Sequence, residues 1–219
     1  ITQKILSFTK KLNYAIYRKA DGVSTVTYTL AKHLARNGIK AYVVPNGADL
    51  KVFKPIDKGN VRKKLGIDDD TLVMVYSGTI GKYYDLTPVL KAISGVLTYL
   101  ETNNSIDRKI KFMILGSGDP KDLRNLLSLI SEMRLQNIIF YQGVIKNLHR
   151  LVELLSAADI GVIPRINDPF FNYAVPAKFY EYIACGLPVL VTARKDSELA
   201  NIVMKYGVGI VCEHEDVVC

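Results

Sequence analysis

The chain has 219 residues, of which 49% are apolar and 23% charged, a balance typical of a folded globular domain. Lys and Arg (29) outnumber Asp and Glu (21), so the formal net charge is +8. The basic residues are not interleaved with aromatic ones, which argues against nucleic acid as a partner. An anionic membrane surface or a phosphorylated small molecule would still suit the positive charge.

The sequence contains no targeting or membrane-spanning signal. No apolar run reaches the roughly 18 residues that a membrane helix needs, and the first residues lack a signal-peptide pattern. The chain begins at Ile1, so we expect a fragment of a longer protein. The three cysteines, at 185, 212 and 219, fit no metal spacing, and their odd number argues against a disulfide framework. We therefore expect no bound metal and a reducing, cytoplasmic setting.

Residues 1–55 form a short unit of their own. The pattern predicts a basic amphipathic helix, a strand, a second helix and a second strand, at 4–19, 23–28, 29–37 and 40–45. A loop with Asn46-Gly47 and Pro55 follows, and we place a linker at about 46–57. Two strands make a poor independent core. We therefore interpret 1–55 as the end of a preceding domain and 56–219 as a second domain.

From residue 71 onward, apolar runs rich in β-branched residues alternate with stretches of helical periodicity. The predicted strands are 71–78, 110–118, 137–143, 159–164, 187–192 and 207–212. Asp85, Asp119-Pro120 and Asn147 are predicted to begin helices that end near Leu100, Arg134 and Ala157. This alternation predicts an α/β fold with a doubly wound parallel sheet, Rossmann-like, in the strand order 3-2-1-4-5-6.

That strand order locates the ligand crevice. In doubly wound sheets, ligands bind beyond the carboxyl ends of the strands where the order reverses. Here the first and fourth strands would lie side by side, and the crevice would be lined by residues 77–84 and 164–181.

Two glycine-containing turns follow the first two strands. Gly78 and Gly81 lie in the turn after the first strand, and Gly116 lies in the turn after the second. Small residues at such turns let a phosphate approach the N–H groups of a helix N-terminus. Neither turn is a complete phosphate-binding motif, however, and strand–helix turns need glycine in any case.

The segment VPAKFYEYIACGLPVLVT (175–192) carries two charged residues in an apolar setting. Pro176 is predicted as a first helical residue, which puts Lys178 and Glu181 on one face of the helix near its N-terminus. A carboxylate there could accept two hydroxyl hydrogen bonds, as from a ribose, and the lysine could meet a phosphate. The alternative is an exposed i, i+3 ion pair of little energetic value.

Seven segments in order resemble the family 4 retaining glycosyltransferases of the GT-B fold. They are ADGVSTVT, VVPNGADLKVFKP, VYSGTIG, FMILGSGD, IIFYQGVI, LLSAADIGVIP and the segment at 175–192. A GT-B enzyme has two Rossmann-like domains, of which the second holds the sugar nucleotide and the first holds the acceptor. The resemblance implies that the chain is the donor-binding domain together with the end of the acceptor domain.

The resemblance also implies roles for particular residues. Glu181 matches the glutamate that binds the ribose hydroxyls, and Gly143 and Val144 match the turn that contacts the base. The turn from Gly78 through Thr79 and Gly81 to Lys82 would face the diphosphate. Catalysis in this family needs no metal and no agreed protein nucleophile, so no residue here is assigned a catalytic role. The diphosphate leaving group is stabilised electrostatically instead.

Three positions depart from the family pattern. The first of two glutamates common in the family falls at Tyr173. The Arg and Lys that usually clamp the diphosphate fall at Thr79 and Tyr84. Cations that could replace the clamp are Lys82, Arg165 and Lys178. The combination of SGTIG with P-A-K-x-Y-E resembles a branch of the family that acts in surface-polysaccharide and lipopolysaccharide synthesis, in which the Pro-x-Lys replaces the region of the first glutamate.

We interpret the chain as a glycosyltransferase fragment, inactive alone, that binds a nucleoside diphosphate sugar, most simply of the UDP type. The acceptor would be a glycan, on a lipid carrier if the positive charge marks contact with the cytoplasmic face of a membrane. Two alternatives remain at this point. One is a nucleotide-sugar 2-epimerase on the same fold, and the other is a non-catalytic nucleotide-binding module.

Overall fold

The computed structural model describes residues 2–103 and 109–213. Cys219 lies outside the described residues. Helices and strands alternate along the chain, with a 3-10 turn at Pro169–Tyr173. The helices are α1 (Thr2–Lys19), α2 (Tyr28–Ala35), α3 (Lys58–Leu65), α4 (Thr87–Thr102), α5 (Pro120–Glu132), α6 (Leu148–Ala157), α7 (Ala177–Ala184) and α8 (Glu198–Tyr206). The strands are β1 (Ser24–Thr25), β2 (Tyr42–Val43), β3 (Leu72–Ser77), β4 (Ile110–Leu115), β5 (Ile139–Gly143), β6 (Ile160–Pro164), β7 (Val189–Thr192) and β8 (Gly209–Cys212).

The main sheet is parallel and has the order β5-β4-β3-β6-β7-β8. In order of appearance this is 3-2-1-4-5-6, so the predicted doubly wound topology is confirmed. β3 and β6 lie side by side, with Met74 opposite Ile160 and Val75 opposite Gly161. The carboxyl ends of these two strands therefore form the switch point, as expected from the alternating pattern.

The two faces of the sheet carry separate apolar clusters. Successive side chains of β3 alternate between them: Val73 and Val75 belong to one cluster, and Met74 and Tyr76 belong to the other. Helices α6, α7 and α8 cover the first face through residues such as Leu154. Helices α4 and α5 cover the second face. Burial on both faces explains why these strands are almost continuously apolar.

Residues 20–44 include a small parallel pair, β1 and β2, and the helix between them, α2, contacts the 3-10 turn at Pro169–Tyr173. The carboxylate of Glu198, at the start of α8, accepts hydrogen bonds from the backbone N–H groups of Tyr28 (3.0 Å) and Thr29 (2.9 Å). These are the first two residues of α2, whose N–H groups have no partner within the helix. Thr27 adds a hydrogen bond from its hydroxyl to the carbonyl of Tyr173 (2.7 Å).

Helix α3 was not predicted, because its sequence KGNVRKKL has no apolar stripe. It is held by Arg62, whose side chain is only 5% exposed. The guanidinium donates to Asp159 Oδ2 (2.6 Å) and to the carbonyl of Ala157 (2.9 Å). Asp159 also accepts from Lys58 and from the N–H of Val73, at the start of β3. This carboxylate therefore joins α3 to the beginning of the central strand.

We expect Asp159→Asn to lower the free energy of unfolding by about 1–3 kcal/mol at pH 7, because the buried Arg62 loses its counter-charge. Burial favours a higher pKa for Asp159, but the hydrogen bonds from Lys58 and Val73 outweigh it and hold the pKa below its usual value. The stabilisation is therefore present above about pH 4 and is lost as the pH falls through the folded-state pKa. The difference between variant and wild type should shrink in urea titrations below pH 4.

The control for this experiment is Asp68→Asn. Asp68 forms an ion pair with Lys109 at 2.6 Å, but both side chains are more than half exposed. Its loss should change stability little, since exposed pairs are weak. Equal effects of the two substitutions would contradict the structural role assigned to Asp159.

Most predicted boundaries hold to within a few residues. Asp119 and Asn147 cap α5 and α6 as predicted. The Asp85 side chain accepts a hydrogen bond from the N–H of Thr87. The N-cap position of α4 is Leu86, however, so Asp85 lies one residue further from the helix than expected. Pro176 was predicted inside its helix, yet it precedes it, and α7 begins at Ala177.

Two further observations concern the membrane and the cysteines. In the described ranges no helix combines the length and apolarity required to span a bilayer. Cys185 is a free, buried cysteine. Cys212 is disulfide-bonded, so a single bridge is present even though the odd number of cysteines argued against a disulfide framework.

Candidate functional site: the cleft at the carboxyl ends of β3 and β6

A cavity of about 530 Å³ lies at the predicted switch point. Three strand–helix turns and the start of α7 surround it. The lining residues are Ser77, Gly78, Thr79, Tyr84, Leu115, Gly116, Ser117, Val144, Ile145, Leu151, Pro176, Ala177, Lys178 and Glu181. Its size suits a small ligand, and its position is the one at which doubly wound sheets bind theirs.

The turns after β3 and β4 pack backbone against backbone. The N–H of Gly78 donates to the carbonyl of Leu115 (2.8 Å), and the N–H of Ile80 donates to that of Ser117 (2.9 Å). A Cβ on Gly116 would lie 1.8 Å from the Gly78 oxygen, and one on Gly118 would lie 2.1 Å from the Ile80 oxygen. These glycines therefore have a packing role, which lets the two turns approach each other beside the cavity.

Helix α7 is fixed to the end of β3 by Tyr182, which is fully buried. Its hydroxyl accepts a hydrogen bond from the N–H of Ser77 (2.7 Å). The ring lies against Gly161 of β6, where a Cβ would come within 2.4 Å of it. This arrangement fixes the position of α7, and with it Lys178 and Glu181, relative to the glycine turn.

Lys178 is buried, with 7% of its surface exposed, and lies in the first turn of α7. Its Nζ is 3.9 Å from the ring centroid of Tyr76 and 3.6 Å from that of Tyr84. Within the described residues, this amino group has no hydrogen-bond partner. The alternative of an exposed ion pair with Glu181 is therefore wrong. Burial, with a smaller effect of Arg165, lowers the pKa of Lys178 to about 7.

Glu181 lies one turn further along α7 and is half-buried at the cavity wall. Burial raises the pKa of its carboxyl, although the nearby Lys178 opposes the shift. An acceptor that is partly desolvated and still open to a cavity can bind hydroxyl groups strongly.

The other predicted residues divide into two groups. Gly78, Thr79, Gly116 and Val144 line the cavity with Lys178 and Glu181. Gly143 ends β5 with φ +65° and immediately precedes Val144.

Gly81, Lys82 and Arg165 lie outside the cavity lining. Gly81 lines a neighbouring cavity with Asp122, and Lys82 is exposed beside the Tyr83 ring. Arg165 is 3% exposed and donates to the carbonyls of Phe171 (3.2 Å) and Ala174 (2.7 Å). Its role in the structure is to hold the loop that leads into α7.

Sequence reasoning missed Tyr76 as a neighbour of the site and identified Tyr84 only as a departure from the resembled family's pattern. The available signal was the residue type, since a tyrosine stands where the family pattern has a lysine. No cluster of three or more His, Cys, Asp or Glu residues suited to a metal occurs in the part of the chain that the structure describes.

Comparison with known proteins identifies the family of this chain. Residues 57–217 match the family described as glycosyl transferases group 1. A D-inositol 3-phosphate glycosyltransferase of Stackebrandtia nassauensis is 29% identical over 157 residues, which cover 70% of this chain and 33% of the relative. The chain thus spans about a third of the length of that relative.

Two solved structures share the fold. Sucrose-phosphate synthase from Thermosynechococcus elongatus superposes with a TM-score of 0.70 at 20% identity, over 94% of this chain and 49% of that one. HepE from Anabaena, solved in complex with UDP-glucose, gives 0.68 at 16% identity, over 92% and 52%. Both likenesses confirm the Rossmann-like α/β fold. Since the family match covers most of the sequence, the chain belongs to the glycosyl transferases group 1 family.

Proposed function

We propose that this chain contains the donor-binding domain of a retaining, family 4 glycosyltransferase of the GT-B type. The observation that carries the proposal is the cleft at the β3–β6 switch point, with Lys178 and Glu181 both in its wall. A buried amine and a half-buried carboxylate on one helix suit a ligand that has both an anionic group and hydroxyl groups. A nucleoside diphosphate sugar has both.

The proposed contacts follow the cleft. Glu181 accepts hydrogen bonds from the two ribose hydroxyls, and Val144 with Gly143 contacts the base. The diphosphate lies between the turn at Gly78–Thr79 and the N-terminus of α7, where free backbone N–H groups favour an anion. The protein then contributes mainly orientation and electrostatic stabilisation of the leaving diphosphate.

Residues 1–55 are proposed to be the end of the acceptor-side domain and its linker. The chain spans 49% and 52% of the two structural neighbours. We therefore propose that transfer requires a partner domain beyond these 219 residues, and that this chain alone binds the donor without turnover. Detecting sugar transfer by the isolated chain would contradict this.

The acceptor is proposed to be a glycan on a lipid carrier at the cytoplasmic face of a membrane. Helix α1 supports this with exposed Phe8, Leu12 and Ile16 and the basic residues Arg18 and Lys19 in its last turn. Sedimentation of the full-length enzyme with vesicles containing anionic lipid tests the proposal. Equal recovery with neutral and anionic vesicles would contradict it.

UDP is proposed as the nucleotide, because HepE was solved with UDP-glucose. Thermal unfolding of the chain with UDP, GDP, ADP, CDP and dTDP tests the donor site. A ligand present at 100 times its dissociation constant stabilises by about 2.7 kcal/mol, which raises Tm by very roughly 5–10 °C for a domain of this size. A rise with one base supports the proposal and identifies the nucleotide, and no rise with any base overturns it.

A further inference from the structure

The amino group of Lys178 lies between the rings of Tyr76 and Tyr84, which together form a cage around it. Without a bound ligand, this cage disfavours the charged form of the amine. The rings of Tyr76 and Tyr84 lie 3.9 and 3.6 Å from Nζ. Contact with ring faces offsets part of the cost of desolvating an ammonium group. Within the described residues Nζ has no hydrogen-bond partner, so most of that cost remains.

The charged and titratable groups around the cage do not provide a hydrogen-bonded counter-charge for the ammonium form of Lys178. Arg165, which follows β6, is a second cation and repels the ammonium form. Glu181 on α7 attracts it but forms no hydrogen bond with it. Burial raises the pKa of Tyr76 on β3, of Tyr84 in the turn after it and of Tyr182 on α7, so these three stay neutral. Together these effects give Lys178 the pKa of about 7.

The amine of Lys178 lies at the glycine turn that forms one wall of the cavity. Gly78 borders it there, and a Cβ on that glycine would lie only 2.9 Å from Nζ. Because Gly78 has no side chain, the buried Nζ packs directly against this turn, on the side of the cavity that both residues line. The first turn of α7 adds its free N–H groups on the same side.

We propose that Lys178 replaces the family's missing diphosphate clamp, and that the cage takes up one proton from solvent as the diphosphate binds. This rests on the donor-site function proposed above. The proton moves from water or buffer to Nζ, and no covalent bond to the ligand forms. The anion supplies the counter-charge that the empty cage lacks, so the bound state favours the ammonium form.

Because binding takes up a proton, the affinity for the diphosphate should fall as the pH rises. Above pH 7 the empty site is deprotonated and the bound site is protonated, so affinity for a nucleoside diphosphate falls by up to about tenfold per pH unit. The nucleoside alone does not meet Lys178, so its affinity should not follow this slope.

Isothermal titration calorimetry of the 219-residue chain with UDP and with uridine tests the proposal, at pH 7.0, 7.5, 8.0 and 8.5. Each titration is repeated in two buffers of different ionisation enthalpy, which reports proton uptake directly. We expect UDP affinity to fall about tenfold from pH 7.0 to 8.5, with nearly one proton taken up at pH 8. If UDP fails to bind, the nucleotide that gives the largest thermal shift and its nucleoside replace the pair.

The informative variant is Lys178→Met. It should bind UDP at least tenfold more weakly at pH 7, without the pH slope and without proton uptake, while uridine affinity stays the same. The ligand-free variant should also melt higher than wild type, because a buried amine without a partner is replaced by an apolar side chain. A merely structural lysine would lower Tm when it is replaced.

The matched control is Lys205→Met. Lys205 also lies over a tyrosine ring, Tyr206 at 5.1 Å, but it is exposed on α8 and away from the cleft. It should behave as wild type in every titration.

UDP affinity that is equal at pH 7.0 and 8.5, with no proton uptake, overturns the inference and leaves the donor site standing. Failure of all five nucleotides and their nucleosides to bind overturns the donor site and the inference together. If Lys178→Met does not fold, the wild-type pH series and proton uptake decide the question alone.

Discussion

Glu181→Gln is expected to weaken binding of the nucleoside diphosphate by about 10- to 100-fold, because each hydrogen bond to a charged acceptor contributes about 1.5–3 kcal/mol. The amide retains one acceptor oxygen, but it brings an NH₂ group to the place where the second hydroxyl donates. Since both ligands share the ribose, calorimetry should show the same loss for uridine as for UDP. The two roles can therefore be distinguished: replacing Glu181 should weaken binding of both ligands, whereas replacing Lys178 should weaken binding of UDP alone.

The control for Glu181 is Glu153→Gln on α6. Glu153 forms an i, i+3 ion pair with Arg150 at 2.9 Å. This is the kind of contact that the sequence left open as the alternative role of Lys178 and Glu181. Its replacement should leave nucleotide affinity unchanged. Burial raises the pKa of Glu181, so the Gln variant should be no less stable than wild type without ligand. Unchanged affinity for both ligands in Glu181→Gln would refute the ribose contact.

Gly116→Ala is expected to destabilise the domain by about 2–4 kcal/mol and to abolish nucleotide binding. The new Cβ would lie 1.8 Å from the backbone oxygen of Gly78, and neither backbone can move without breaking the hydrogen bonds between the two turns. Overpacking in a rigid site usually costs about 1–3 kcal/mol, and a backbone clash costs more than a contact with a flexible side chain. Urea unfolding and UDP titration of the variant measure both effects.

Gly95→Ala provides the matched control. Gly95 is exposed in α4, and a Cβ there meets nothing within 4 Å. It should stabilise the chain by about 0.5–1 kcal/mol, because alanine loses less backbone entropy in a helix. A Gly116→Ala variant as stable as Gly95→Ala would show that the turns can separate.

The main sheet could be predicted from the sequence because each strand is a short, β-branched run and each crossover has helical periodicity. The handedness of parallel crossovers then left few possible strand orders. Helices α3 and α8 were missed for opposite reasons. α3 is almost wholly polar and depends on Arg62 and Asp159, a contact between distant parts of the chain. α8 had usable signals, a serine cap at Ser197 and a left-handed glycine at Gly207.

The site was predictable in position but only partly in chemistry. Topology places the start of α7 at the switch point, and the charged pair on that helix was visible in the sequence. The burial of Lys178 was not, because it depends on Tyr76 and Tyr84, which come from a strand and a turn far earlier in the chain. The packing role of Gly116 was also hidden, since it depends on the distance between two turns that periodicity does not report.

The carboxylate of Glu198 affects where this protein can be cut and recombined. It belongs to α8, yet it satisfies the first N–H groups of α2, on the other side of the linker proposed at 46–57. A chimera joined within that linker would place Glu198 beneath a helix from another parent, and the buried carboxylate would need a new set of donors. Grafts that carry residues 27–29 together with α8 keep this contact intact, so a junction placed before α2 preserves it.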